Sequence, residues 1–187
     1  MEIINPARLL VQIAPILDKL KLPYFITGGF AVSVWGRPRA TFDIDIVIQI
    51  REPDAKQLIT MLRKISEYGY IDEDAVKEAI RNAGEFNFID PETGVKVDFW
   101  VSSDKNAHEY ERVVIKVVDG QKVNFISPED LILSKLKWYK ISPSSRHLED
   151  VDSILKISKK ILDKQYLKKM SVKLDLEDEL RQVLKNK

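Results

Sequence analysis

The chain has 187 residues, 44% hydrophobic and 32% charged, which suits a globular domain of ordinary size and excludes a disordered or fibrous protein. A formal net charge of +1 gives no global pull toward nucleic acid or membrane, and the lack of cysteine excludes disulfides and thiolate metal sites. The N-terminal "MEIINPARLL" lacks the marks of a signal peptide, and no apolar run approaches the ~20 residues that span a bilayer, so a cytoplasmic protein without membrane association is expected.

In chain order, Asn5 can cap a helix with Pro6 at its first position. Leu9, Leu10, Ile13, Ile16, Leu17 and Leu20 at helical spacing then predict an amphipathic helix over residues 6–20. "PYFIT" (23–27) reads as a short strand, Gly28-Gly29 as the break after it, and "FAVSVW" (30–35) as a short helix. From Thr41 to Ile50 the pattern alternates strictly, with Asp43, Asp45, Val47 and Gln49 against Ile44, Ile46, Ile48 and Ile50; period two predicts a strand. Pro53 opens a helix to about Tyr68, and residues 72–83 read as another.

"EFNFID" and "VKVDFWV" flank the turn-former "PETG", and "RVVIKVV" and "KVNFI" flank Asp119-Gly120, so two hairpins are predicted. A polar segment between them, 104–111, is a candidate short helix. Ser127-Pro128 starts a helix to about Lys140, with Asp130 where a capping box wants an acid. "SPSS" (142–145) is a linker, and "RHLEDVDSILKISKKIL" and "DLEDELRQVLKNK" are helical. The expectation is an α+β fold, with a mixed sheet and packed helices over residues 1–126 and a helical C-terminal region over 127–187.

Aspartate is a poor strand former and costly to bury, so Asp43 and Asp45 need an account. Two apart on a strand, they leave the same face about 7 Å apart and can share a divalent cation. Asp98, in "VKVDFWV", lies opposite a face of Val95, Val97, Phe99 and Val101; if its strand pairs with the first, three carboxylates converge. Three acids without nearby histidine or cysteine suit a hard ion such as Mg²⁺ or Mn²⁺. The Gly28-Gly29 pair, between a strand and a helix start, suits phosphate binding through backbone N–H groups. Each feature also has a plainer reading: solvated strand acids, or turn glycines. Together they describe phosphoryl-type chemistry on a metal-bound nucleotide.

"TGGFAV", "RATFDIDIVI" and the later "VDFW" resemble the nucleotidyltransferase superfamily that shares the DNA polymerase β-like core. "GG…G-x-R-x-T-x-D-I-D" is most similar to the AbiEii-like minimal nucleotidyltransferases, many of them toxin–antitoxin components. The resemblance extends to "PEDLILSKLKWYK" and "RHLEDVDSIL", similar to that group's lysine-bearing helix and the helix after it. It implies that Gly28 and Gly29 hold the triphosphate, that Asp43 and Asp45 bind Mg²⁺, and that Asp98 completes the metal site and helps deprotonate the acceptor. It gives Arg39 and Thr41, with Arg37 as a weaker match, contacts to phosphate or to the metal loop. Lys135 matches the helix lysine that reaches nucleotide phosphates and Asp150 the acid of the following helix, while His147 stands where that segment usually has its first acid. Plainer readings again exist: loop arginines, a lysine on a solvated helix face, and an Arg146–Asp150 helix pair. Trp35, Trp100 and Trp138 read as packing residues, although Trp100 shares a face with Asp98.

The activity implied is attack of an acceptor hydroxyl on the α-phosphate of an NTP, with release of pyrophosphate and two Mg²⁺ ions stabilising the entering and leaving oxygens. An RNA or tRNA end, a protein or a small molecule each offers such a hydroxyl, and an antitoxin is an expected partner. The alternatives are a catalytically silent nucleotide- or partner-binding module of the same fold, and a metal-dependent phosphohydrolase.

Overall fold

The computed structural model describes residues 6–66, 68–102 and 107–185. Asn5, the first part of the 104–111 segment and the last two residues lie outside them. The chain divides into two compact units, residues 1–30 with 40–126, and residues 31–39 with 127–187.

The first unit is built on a mixed six-stranded sheet. Its strands are β1 (Tyr24–Thr27), β2 (Asp43–Ile48), β3 (Glu85–Asp90), β4 (Val95–Val101), β5 (Val114–Val118) and β6 (Gln121–Phe125), in the order β3-β4-β2-β1-β6-β5. The β1–β2, β3–β4 and β5–β6 pairs are antiparallel, whereas β2–β4 and β1–β6 are parallel. The alternation read in β2 has the expected cause: Ile44, Ile46 and Ile48 are fully buried, and the aspartates leave the other face. Val97 and Phe99 of β4, with Phe86 and Phe88 of β3, extend the same apolar layer, and the rings of Phe86 and Phe99 stack. The hairpin turns fall at "PETG" and at Asp119-Gly120. Both residues of that second turn have positive φ, as a two-residue hairpin turn requires.

Helix α1 (Pro6–Lys19) buries Leu9, Leu10, Ile13 and Leu17. Helices α3 (Glu52–Leu62), α4 (Glu73–Asn82) and α5 (Ala107–Glu111) complete this unit. Helix α3 ends at Leu62, short of the predicted Tyr68; beyond it Tyr70 forms an antiparallel bridge with Ile89, and Gly69 lies against the Phe88 ring. Helix α2 (Gly28–Trp35) starts at the first glycine of the predicted break, and the division between units falls within it.

The second unit holds α6 (Pro128–Ile141), α7 (Ser145–Ile157), α8 (Lys164–Lys173) and α9 (Glu177–Lys185). Ser127 caps α6 by accepting from the Asp130 backbone N–H, and the Asp130 carboxylate in turn accepts from the Ser127 hydroxyl. Helix α7 stops at Ile157, and the hydroxyl of its capping residue Ser158 donates to the Trp35 carbonyl. The carboxylate of Asp163 then caps α8, which lies between the two segments the sequence reads as helical. Trp35 is buried as expected, whereas Trp138 on α6 is exposed.

Candidate functional site

Strand register decides which acids meet. The β2–β4 pairing sets Asp45 directly opposite Asp98, and Asp43 opposite Lys96. On either side, Thr27 of β1 faces Asp45 and Asn87 of β3 faces Asp98. One row across four strands therefore reads Thr27, Asp45, Asp98, Asn87, with Asp43 at the next position on the same face. Asp43 is exposed, Asp45 half-buried and Asp98 buried at 6% exposure.

Asp98 is held from one side only. Its Oδ2 lies 2.8 Å from Lys96 Nζ, while its Oδ1 is buried without a hydrogen-bond partner. The hydrogen bond to Asp98 pushes the Lys96 pKa up against the opposing effect of burial, helped by the charges of Asp98, Asp43 and Glu85. Burial raises the Glu85 pKa, and the negative charges of Asp98 and Asp45 add to the rise. The local field is thus strongly negative, with Lys96 as its internal counterion. The donors are oxygens without histidine or cysteine, and one buried oxygen lacks a partner, so the residues fit a hard divalent cation. Among the described residues, no group of three His, Cys, Asp or Glu side chains is disposed to hold a metal ion as it stands.

The glycine turn is built around the same carboxylates. Gly28 follows Thr27, the register partner of Asp45, and its φ of +62° turns the chain from strand into helix. A Cβ at Gly28 would lie 1.8 Å from Asp45 Oδ2, so the carboxylate can sit there because residue 28 has no side chain. Gly29 is buried. Nearby, the Thr41 hydroxyl donates to the Asp43 carbonyl, 3.2 Å away, and ties the loop to the start of β2.

In the second unit, Arg39, Lys135 and Asp150 form one ionic cluster. Arg39 approaches Asp150 as a fork, Nε to Oδ1 at 3.0 Å and Nη2 to Oδ2 at 3.2 Å. Lys135 Nζ lies 3.1 Å from Asp150 Oδ2, and both of these side chains are buried. Burial opposes ionisation of Asp150, but the Arg39 hydrogen bond and the Lys135 charge outweigh it and hold its carboxyl below the ordinary range. Burial, then the Lys135 charge, lowers the pKa of His147. Lys135 is therefore not on a solvated face, and Asp150 takes its cations from α6 and from the loop at residue 39. Arg37 is exposed; its backbone N–H donates to Ser153 Oγ at 3.2 Å.

Sequence reasoning missed Lys96 and Asn87. Period two from Asp98 puts Lys96 on the acids' face, and closure of "PETG" on Asp90 and Val95 sets Asn87 opposite Asp98. Both signals stand in the sequence.

The family described as nucleotidyl transferase AbiEii toxin, Type IV TA system, matches residues 8–185, nearly the whole chain. The chain belongs to the AbiEii nucleotidyltransferase family. Solved structures share its fold. ANT(2″)-Ia, in complex with adenylyl-2″-tobramycin, superposes with a TM-score of 0.63 at 17% identity, covering 91% of this chain and 97% of that one. An antigenic nucleotidyltransferase-like protein from Paracoccidioides brasiliensis gives 0.57 at 20% identity, covering 96% and 91%. The lincosamide antibiotic adenylyltransferase LnuA, lincomycin-bound, gives 0.55 at 17% identity, covering 80% and 96%. At these identities the likeness establishes the fold. Comparison with curated protein sequences finds no match. No helix among the described residues is long and apolar enough to cross a membrane.

Proposed function

We propose that this AbiEii-family protein transfers an NMP from an NTP to an acceptor hydroxyl, with Mg²⁺ or Mn²⁺ bound by Asp43, Asp45 and Asp98. The observation that carries the reading is the pairing of Asp45 with Asp98 across parallel strands, with Gly28 opened against the Asp45 carboxylate. A divalent cation there would supply charge stabilisation for the oxygens that enter and leave the α-phosphorus. Asp98, with one buried oxygen unpartnered, is the group suited to accept the acceptor's proton. Gly28 and Gly29, at the start of α2, are the proposed triphosphate contacts through their backbone N–H groups. Thr41 steadies the loop that leads into Asp43.

Lys135 and Arg39 are proposed phosphate contacts, and Asp150 holds both side chains beside one carboxylate. Acceptors in scope are an RNA or tRNA end, a protein, or a small molecule of the kind named for ANT(2″)-Ia and LnuA. The Type IV TA description of the family supports an antitoxin partner and action in the cytoplasm. The test is NTP turnover with Mg²⁺ and panels of these acceptors, comparing the native chain with Asp43→Ala/Asp45→Ala. Transfer should vanish in the double variant. Transfer that survives would overturn the reading, and NTP binding without transfer to any acceptor would make the protein a silent binding module.

A further inference from the structure

Lys96 has no role in the transfer chemistry above, yet it stands among the acids. It precedes Asp98 by two residues on β4, so both side chains leave one face. Its side chain is 40% exposed and that of Asp98 is 9% exposed, so the lysine reaches from solvent onto a buried acid. Register sets it opposite Asp43, with Asp45 and Asp98 paired at the next position on that face. Its ammonium takes Asp98 Oδ2 at 2.8 Å, leaving Oδ1 without a hydrogen-bond partner.

We propose that Lys96 competes with the divalent cation for Asp98, acting as a built-in counterion whose charge lowers the affinity of the site for the ion. The proposal rests on the cation-binding reading of Asp43, Asp45 and Asp98. An ammonium has three donors and no lone pair, so it can balance the carboxylates but cannot coordinate a metal, and it repels one. With Nζ 2.8 Å from Oδ2, a cation approaching Asp98 meets the ammonium's charge at close range, and it binds more tightly once Nζ has moved away. The flexible four-carbon stem and the exposure of Lys96 give the ammonium somewhere to go. Lys96 is thus a positioning residue acting through Asp98.

Mn²⁺ titration of the full chain, followed by electron paramagnetic resonance at one fixed pH, tests this without any turnover. Lys96→Gln should bind Mn²⁺ about fivefold more tightly than the native chain, the scale on which a partly exposed ion pair competes. Lys96→Arg, which keeps a charge on Asp98, should stay near the native affinity. Asp98→Asn should weaken binding, and in its presence Lys96→Gln should no longer change the affinity. Equal affinity for the native chain and Lys96→Gln, with binding still dependent on Asp98, would overturn the role of Lys96 alone. Mn²⁺ binding indifferent to Asp98 in every variant would overturn it together with the cation site.

Discussion

Gly28→Ala strikes the point where the glycine turn and the acids depend on each other. At φ +62° an alanine enters the left-handed region, which costs about 1–2 kcal/mol. Its Cβ would lie 1.8 Å from Asp45 Oδ2 and 2.8 Å from Asp45 Cβ, so the aspartate must leave its place. Forcing that side chain off its preferred rotamer costs about 0.5–1.5 kcal/mol more. The sum, about 1.5–3.5 kcal/mol, corresponds to a fall in Tm of about 3–14 °C for a chain of this length. Circular dichroism melts should show that fall with the native spectrum retained. Mn²⁺ affinity should drop in the same variant, because the displaced carboxylate is a proposed ligand. A Gly28→Ala protein with native Tm and native Mn²⁺ affinity would refute the coupling of turn and carboxylate.

The buried ionic cluster predicts further outcomes. Asp150→Ala leaves Arg39 and Lys135 without their shared acid and should cost about 3–5 kcal/mol by urea denaturation; a loss under about 1 kcal/mol would contradict the packing described. Because the folded pKa of Asp150 lies below its ordinary 3.8, its contribution is complete above that value and is lost as pH falls through the folded pKa. Acid denaturation of Asp150→Asn should therefore show a shallower pH dependence below about pH 4 than the native chain. His147 is held neutral by burial and by Lys135, so its effect also appears on acidification, from about pH 6.5 downward. His147→Gln should flatten the stability profile in that window, read from denaturation midpoints at successive pH values.

The site's parts were legible to different degrees because their signals differ in range. Alternation along "FDIDIVI" needs only nearest neighbours, and it separated the buried isoleucines from Asp43 and Asp45 correctly. That Asp98 meets Asp45 depends on a parallel pairing with no turn to fix its register, so the sequence offered it as a condition and the sheet supplies it. Lys96 was overlooked because a lysine on a strand reads as surface, although its spacing from Asp98 already placed both on one face. The Gly28-Gly29 break became the opening of α2, since a positive φ at Gly28 suffices to turn from strand to helix. In the C-terminal region, helical periodicity gave α6 and α7 but could not find the stop at Ser158, whose hydroxyl bonds Trp35 far away in sequence. The partners of Asp150 were hidden for the same reason: Arg39 lies more than a hundred residues before it, and the local Arg146 pairing offered a simpler story.

The central claim concerns which phosphorus is attacked, and labelled NTPs read that directly. The native chain, with Mg²⁺ and an accepting molecule, should move label from the α-phosphate of the NTP onto the acceptor and release pyrophosphate, while label in the γ-position should stay out of the acceptor. Incorporation of γ-label, or release of inorganic phosphate with no labelled acceptor, would contradict nucleotidyl transfer and point to phosphoryl transfer or hydrolysis on the same carboxylates.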